Sequence, residues 1–167
     1  MKKLLYVFLS FGIFFSSCEE ETDDPFNQTS SSPSFSCKIG GVQLSDSAPF
    51  ANIITTNPAL NGALEISATS NLPGARVMNT LYITVKDFST VAVNTNLTLG
   101  LPGDGKAIVL VGIDEYITDG SPGANGEISF SKKTANKVSG TFSFKGHSTA
   151  TGALLDVSEG EFSDISY

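Results

Sequence analysis

In a chain of 167 residues with a single histidine and two cysteines, few positions have the chemistry of a catalytic or metal site. Gly146-His147-Ser148-Thr149-Ala150 comes nearest to a nucleophile elbow, with alanine where the last glycine would stand. An elbow exposes its serine because a strand turns sharply into a helix. Here a strand pattern is followed by Gly152 and a second strand pattern, and His147 sits beside the serine rather than across a pocket, so no independently placed base serves it. An exposed hairpin loop is expected. Glycoside hydrolysis needs two acids roughly 5 to 10 Å apart across a cleft. Asp114 and Glu115 are adjacent and point to opposite faces of a strand end, whereas Asp87, Asp104, Asp119, Glu127 and Asp156 are spaced so that only the fold decides whether any of them converge. Solvated surface acids are the expectation. The loop from Asp119 to Glu127 offers oxygens to calcium but lacks the alternating acids and sixth-position glycine of an EF-hand, so it reads as a flexible polar loop. Two cysteines and one histidine fall short of the about four ligands of a zinc cluster. No catalytic residue, metal site or cofactor is assigned.

The two cysteines have different settings. Cys37 has no recognisable base near it and reads as a small strand residue. Before Cys18, Lys2 and Lys3 are followed by an apolar and small-residue stretch from Leu4 to Phe15, then Ser16 and Ser17, the three-part layout of a bacterial export signal. Twelve residues span about 18 Å as a helix, short of the ~30 Å hydrocarbon core, so residues 1–17 read as a cleaved signal rather than a spanning helix. The small residues before the cysteine resemble a lipobox, with Phe15 where leucine is usual. Acylated Cys18 then becomes the first residue of the mature chain and anchors it to outer-membrane lipid; a plain secretory signal cut near Ser17 is the alternative. Lipidation leaves Cys37 without a disulfide partner.

Behind the anchor stand Glu19, Glu20, Glu21, Asp23 and Asp24, then a Ser- and Pro-rich run to Pro33. Like charges and low hydrophobicity keep such a stretch extended, so residues 18–33 read as the lipidated cysteine and a tether. The five acids resemble the export signal that sends lipoproteins of Bacteroidota across the outer membrane to face the medium, with a periplasmic face as the alternative. The formal charge of -7, from 10 basic and 17 acidic residues, and the lack of a basic stripe argue against nucleic acid as a partner. Asp46-Ser47-Ala48 resembles the short O-glycosylation pattern of exported proteins of that phylum, which makes Ser47 a possible acceptor.

These positions must be carried by strands. From residue 34 onward apolar and polar residues alternate with period two and no amphipathic helix stands out. Leu64, Ile66 and Ala68 share one face; Leu81, Ile83 and Val85 another; Ile128 and Phe130, then Val138, Gly140, Phe142 and Phe144, continue the pattern. Gly40-Gly41 suits a two-residue hairpin turn with positive φ, and residues 134–136 a second turn. Ala107 to Ile113 is apolar on both faces, as in a central strand covered on both sides or one facing a partner. In the last strand Leu155 and Val157 differ in parity from Phe162, which a bulge at Glu159-Gly160 restores. Residues 34–167 therefore form one all-β domain, a single antiparallel β-sandwich or closed β-barrel of about 8 to 10 short strands. The residues from Val91 to Gly100 fit a strand or a binding loop equally well.

The run Gly126-Glu127-Ile128-Ser129-Phe130, then Val138-Ser139-Gly140-Thr141-Phe142-Ser143-Phe144 and Val157-Ser158-Glu159-Gly160-Glu161-Phe162, resembles the C-terminal half of a domain-of-unknown-function family of small Bacteroidota lipoproteins. Glu159 stands where that family usually has asparagine. The resemblance implies an all-β surface lipoprotein and transfers no catalytic residue. The leading functional expectation is a non-enzymatic binding or structural module for an unknown protein or glycan partner. Two alternatives have distinct signatures: a carrier has a cavity of a few hundred Å³ lined by Phe130, Phe142, Phe144 and Ile108, and a carbohydrate-active hydrolase has a cleft with paired acids that include Asp114 or Asp156.

Overall fold

The computed structural model describes residues 32–46, 48–55, 57, 60–71 and 78–167. Alternation of apolar and polar side chains gives eleven strands: β1 Ser34–Ile39, β2 Val42–Asp46, β3 Phe50–Ile54, β4 Ala63–Asn71, β5 Met78–Val85, β6 Asn96–Leu99, β7 Gly105–Val111, β8 Asp114–Ile117, β9 Gly126–Lys133, β10 Lys137–Ser148 and β11 Leu154–Ser166. A 3-10 turn, Phe88–Thr90, is the only helix among the described residues. The strand order is β2-β1-β11-β10-β9-β6-β7-β5-β4-β3, and β8 pairs with both β10 and β7. The pairings β10-β9-β6-β7-β8 close a five-stranded barrel ring; β11, β1 and β2 extend from one side of it and β5, β4 and β3 from the other. Among the described residues all pairings are antiparallel except β6 with β7 at Leu99 and Gly105. The outcome is the expected all-β architecture, with closure supplied by the two four-residue strands β6 and β8.

Both extensions bury their inner faces in one core: Phe35, Cys37, Ile39 and Leu44 come from β1 and β2, and Leu64, Ile66, Leu81 and Ile83 from β4 and β5. Aromatic rings run through its middle, with centroids 5.1 Å apart for Phe35 and Phe142, 6.4 Å for Phe142 and Phe162, 5.6 Å for Phe130 and Phe162, and 5.3 Å for Phe88 and Phe130. Each such pair adds about 0.5 to 1.5 kcal/mol beyond the burial of its surface. The carboxylate of Asp46, at the end of β2, accepts the amide of Thr69 at 2.8 Å, tying β2 to β4 beyond the point where β3 begins.

Two irregularities re-aim β11. Phe142 faces Gly160 while Phe144 faces Val157, so β11 carries an extra residue at the predicted bulge; Glu159 there has φ 51°. A second shift between Val138 and Gly140 places Asp164 at φ 49°. Together they keep Val157, Gly160, Phe162 and Ile165 all buried although their spacings are uneven. Each bulge carries an acid paired with a lysine, Glu159 with Lys38 of adjacent β1 at 2.7 Å and Asp164 with Lys132 of β9, across β10, at 2.6 Å. Gly40 and Gly41, both at positive φ, form the two-residue turn between β1 and β2. The apolar stretch from Ala107 stops at Val111, and Ile113 lies fully exposed in the β7–β8 turn rather than in a strand.

Candidate functional site

The outer face of β6, β9, β10 and β11 is made of short polar side chains. Register sets Asn96 opposite Ser129 and Ser129 opposite Thr141, which faces Glu161; one row further along, Thr98 faces Glu127 and Glu127 faces Ser143. Beyond these, Lys145 faces Asp156. Because serine and threonine stand low, the surface dips between longer neighbours. One groove of about 630 Å³ is lined by Asn125, Glu127, Ser143, Lys145, Asp156 and Ser158 among others. A second, of about 240 Å³, is lined by Asn96, Glu127, Ser129, Thr141, Ser143 and Glu159 among others. Glu127 and Ser143 belong to both, so the two form one trough across β9, β10 and β11. Its size is that of a small-ligand site, for which about 300 to 1,000 Å³ is usual.

The walls are tied by one hydrogen bond within the trough and one from β1 outside it. Asn96 donates to Glu127 Oε2 at 3.2 Å, and Lys38 donates to Glu159 Oε1 at 2.7 Å. Lys145 and Asp156 face each other without forming an ion pair, which leaves an ammonium and a carboxylate to meet a ligand. The trough thus offers hydroxyls that donate or accept, carboxylates that accept, and amide and ammonium groups that donate. No protein-family model, no curated protein and no solved structure matches the chain.

Of the acids singled out in the sequence, the fold brings Glu127 and Asp156 into this trough. The others go elsewhere. Asp104 accepts the amide of Thr98 at 2.8 Å, Asp87 precedes the 3-10 turn in a left-handed conformation, and Asp114 and Glu115 are exposed at the start of β8. Asp119 accepts the amide of Ser121 at 3.0 Å; hydrogen bonds from Ser121, with the neighbouring His147 as a smaller contribution, hold its carboxyl below the usual range. Among the described residues no group of three or more His, Cys, Asp or Glu side chains is placed to hold a metal ion. Cys18, the acids Glu19 to Asp24 and Ser47 lie outside the described residues.

The segment expected as an exposed hairpin loop is different. β10 continues through His147 and Ser148, and the turn begins only at Thr149. Ser148 points inward and is buried, its hydroxyl accepting the amide of Thr151 at 3.2 Å, while His147 points outward with Nδ1 3.6 Å from Asp119. Strand alternation puts the two residues on opposite faces, so they do not form a nucleophile and base. Phe130, Phe142 and Phe144 point inward as a carrier requires, but they pack within the continuous core cluster and Ile108 points out of it.

Proposed function

We propose that the protein is a lipid-anchored, surface-facing binding module that holds an extended glycan chain along the β9–β10–β11 trough. The observation that carries this reading is the trough: open along its length, and lined by donor and acceptor side chains with apolar surface between them, as the hydroxyls and C–H faces of a sugar require. Sugar hydroxyls both donate and accept, so they match this lining better than a carboxylate-rich or apolar ligand does. A single hydrogen bond contributes only about 0.5 to 1.5 kcal/mol net, which favours a ligand long enough to make several at once. Acylated Cys18 and the acidic tether supply the anchor and the reach.

A hydrolase is the second reading, because Glu127 and Asp156 border the same groove. Both are exposed, whereas a glycosidase sets its general acid in an apolar or like-charged pocket. Binding without cleavage is therefore the expectation. A panel of polysaccharides incubated with the protein tests it: retention of at least one polymer with no new reducing ends supports the module, release of oligosaccharides identifies a hydrolase, and no retention of any polymer removes the glycan reading. Labelled palmitate that is incorporated by the parent chain and lost in Cys18→Ala tests the anchor.

A further inference from the structure

The opposite outer face of the barrel has another character. β7 is apolar on both sides, with Ala107 and Val109 in the core and Ile108 and Leu110 pointing out. Register places Phe50, Ser67, Tyr82, Ile108 and Ile117 in one row across β3, β4, β5, β7 and β8. Thr69, Thr80, Leu110 and Glu115 form the row on one side of it, and Asn52, Glu65, Thr84 and Lys106 the row on the other. Ile108, Leu110 and Ile117 are half-buried yet belong neither to the core nor to the side chains packed against it. Phe50 and Met78 are each 60% exposed, and Ile113 extends the surface beyond the rim. Single exposed apolar residues are ordinary, but Phe50, Tyr82, Ile108 and Ile117 in one row interrupted only by Ser67, with Leu110 beside them, make a patch of the kind that marks an interaction surface.

We infer that this face packs against the same face of a second copy of the chain, in a two-fold dimer whose axis runs along β5. Charge selects the occupant. Glu65 and Lys106 share a row on β4 and β7, one strand to either side of β5, and neither forms an ion pair within the described residues. A two-fold axis lying between the stacked sheets and parallel to β5 sets β4 over β7 of the other copy while keeping each row over itself. Glu65 then meets Lys106 of the partner subunit, the reciprocal pair forms at the same time, and Phe50 covers Ile117 of the partner subunit. An axis across the strands sets Glu65 over threonine instead and leaves both charges without partners, which is costly once water is excluded. Five strands ~4.8 Å apart and three to four side-chain rows ~6.8 Å apart cover roughly 500 Å² per copy, below the ~800 Å² of a standard interface, so the dimer is reversible and concentration-dependent.

Cysteine cross-linking of the full chain in expressing cells tests the arrangement. Tyr82→Cys places a thiol on the axis, and Thr141→Cys places one on the trough face; buried Cys37 is present in both and in the parent. With a bis-maleimide, Tyr82→Cys is expected to give a band of twice the chain mass, and Thr141→Cys and the parent none. Adding Glu65→Lys should lower that band at least about fivefold, and adding Lys106→Glu as well should restore it, a rescue that a folding defect does not produce. Equal cross-linking from Thr141→Cys, an adduct with a protein of another mass, or failure of the double reversal to restore the band overturns the proposal.

Discussion

The Cys37 thiol, wholly enclosed in the core, is pushed up to about 12 from 9.0 by burial. The unfolded chain releases this proton above pH 9 while the folded chain keeps it, so the stabilising contribution is complete below pH 9 and is lost as pH rises from there toward 12. Chemical denaturation across that range should show the parent losing stability faster than Cys37→Ala, with a difference approaching about 1.4 kcal/mol per pH unit. Lys133 is a residue whose role sequence reasoning missed. Its ammonium donates to the carbonyls of Phe88, Ser89 and Val91 at 2.7, 3.2 and 2.9 Å and lies 4.4 Å from the Phe88 ring centroid. It thereby caps the carbonyl end of the 3-10 turn. Lys133→Met keeps the stem and removes the donors, and a loss of roughly 2 kcal/mol is expected by thermal or urea unfolding. Nothing near Lys133 in sequence announces these partners, which lie more than forty residues away. The hairpin expected at Gly146 to Ala150, from Gly152 between two strand patterns, starts later for a related reason: a strand-end serine such as Ser148 stays in the strand and is buried when a turn amide satisfies its hydroxyl.

At the scale of elements, parity was the informative signal. The uneven spacing of Val157 and Phe162 located the first bulge of β11 correctly. The spacing of Phe162 and Ile165 marks the second in the same way. Four-residue strands such as β6 and β8 contain too few alternations to stand out, yet they close the ring, and β6 resolves the stretch from Val91 to Gly100 into a loop followed by a strand. Glu159 holds a left-handed conformation that β-branched residues resist. Glu159→Val should therefore lower stability by about 1 to 2 kcal/mol, while Glu159→Gly should come within a few tenths of the parent, because the ion pair it gives up is exposed. Equal losses in the two variants would show that the Lys38 pair, not the backbone, holds the bulge. Gly140 is a stricter case: a β-carbon there would lie 2.7 Å from Cζ of Phe162, besides colliding with the Ser129 carbonyl, so Gly140→Ala should be among the most damaging single changes in the domain.

On the scale of the whole molecule, the fold class was legible because nearly every long strand alternates, whereas the trough was not, because register between distant strands creates it. Glu127 and Asp156 are 29 positions apart and become neighbours in one groove only through the pairing of β9 and β11 with β10. The opposite face was half legible: the apolar run from Ala107 announced a strand with two apolar sides, and the structure adds the row of Phe50, Tyr82 and Ile117 beside it. The proposed surface orientation predicts that brief protease treatment of intact cells removes the domain; protection until lysis would place it in the periplasm. The most direct test of the central claim is a titration of the full chain with the polysaccharide retained in the panel, comparing the parent with Ser143→Trp, which fills the trough from its floor, and Tyr82→Ala on the opposite face. Ser143→Trp is expected to lose at least about tenfold in affinity, or about 1.4 kcal/mol, with an unchanged melting temperature, while Tyr82→Ala alters it far less. Parent-like affinity in Ser143→Trp would contradict that claim.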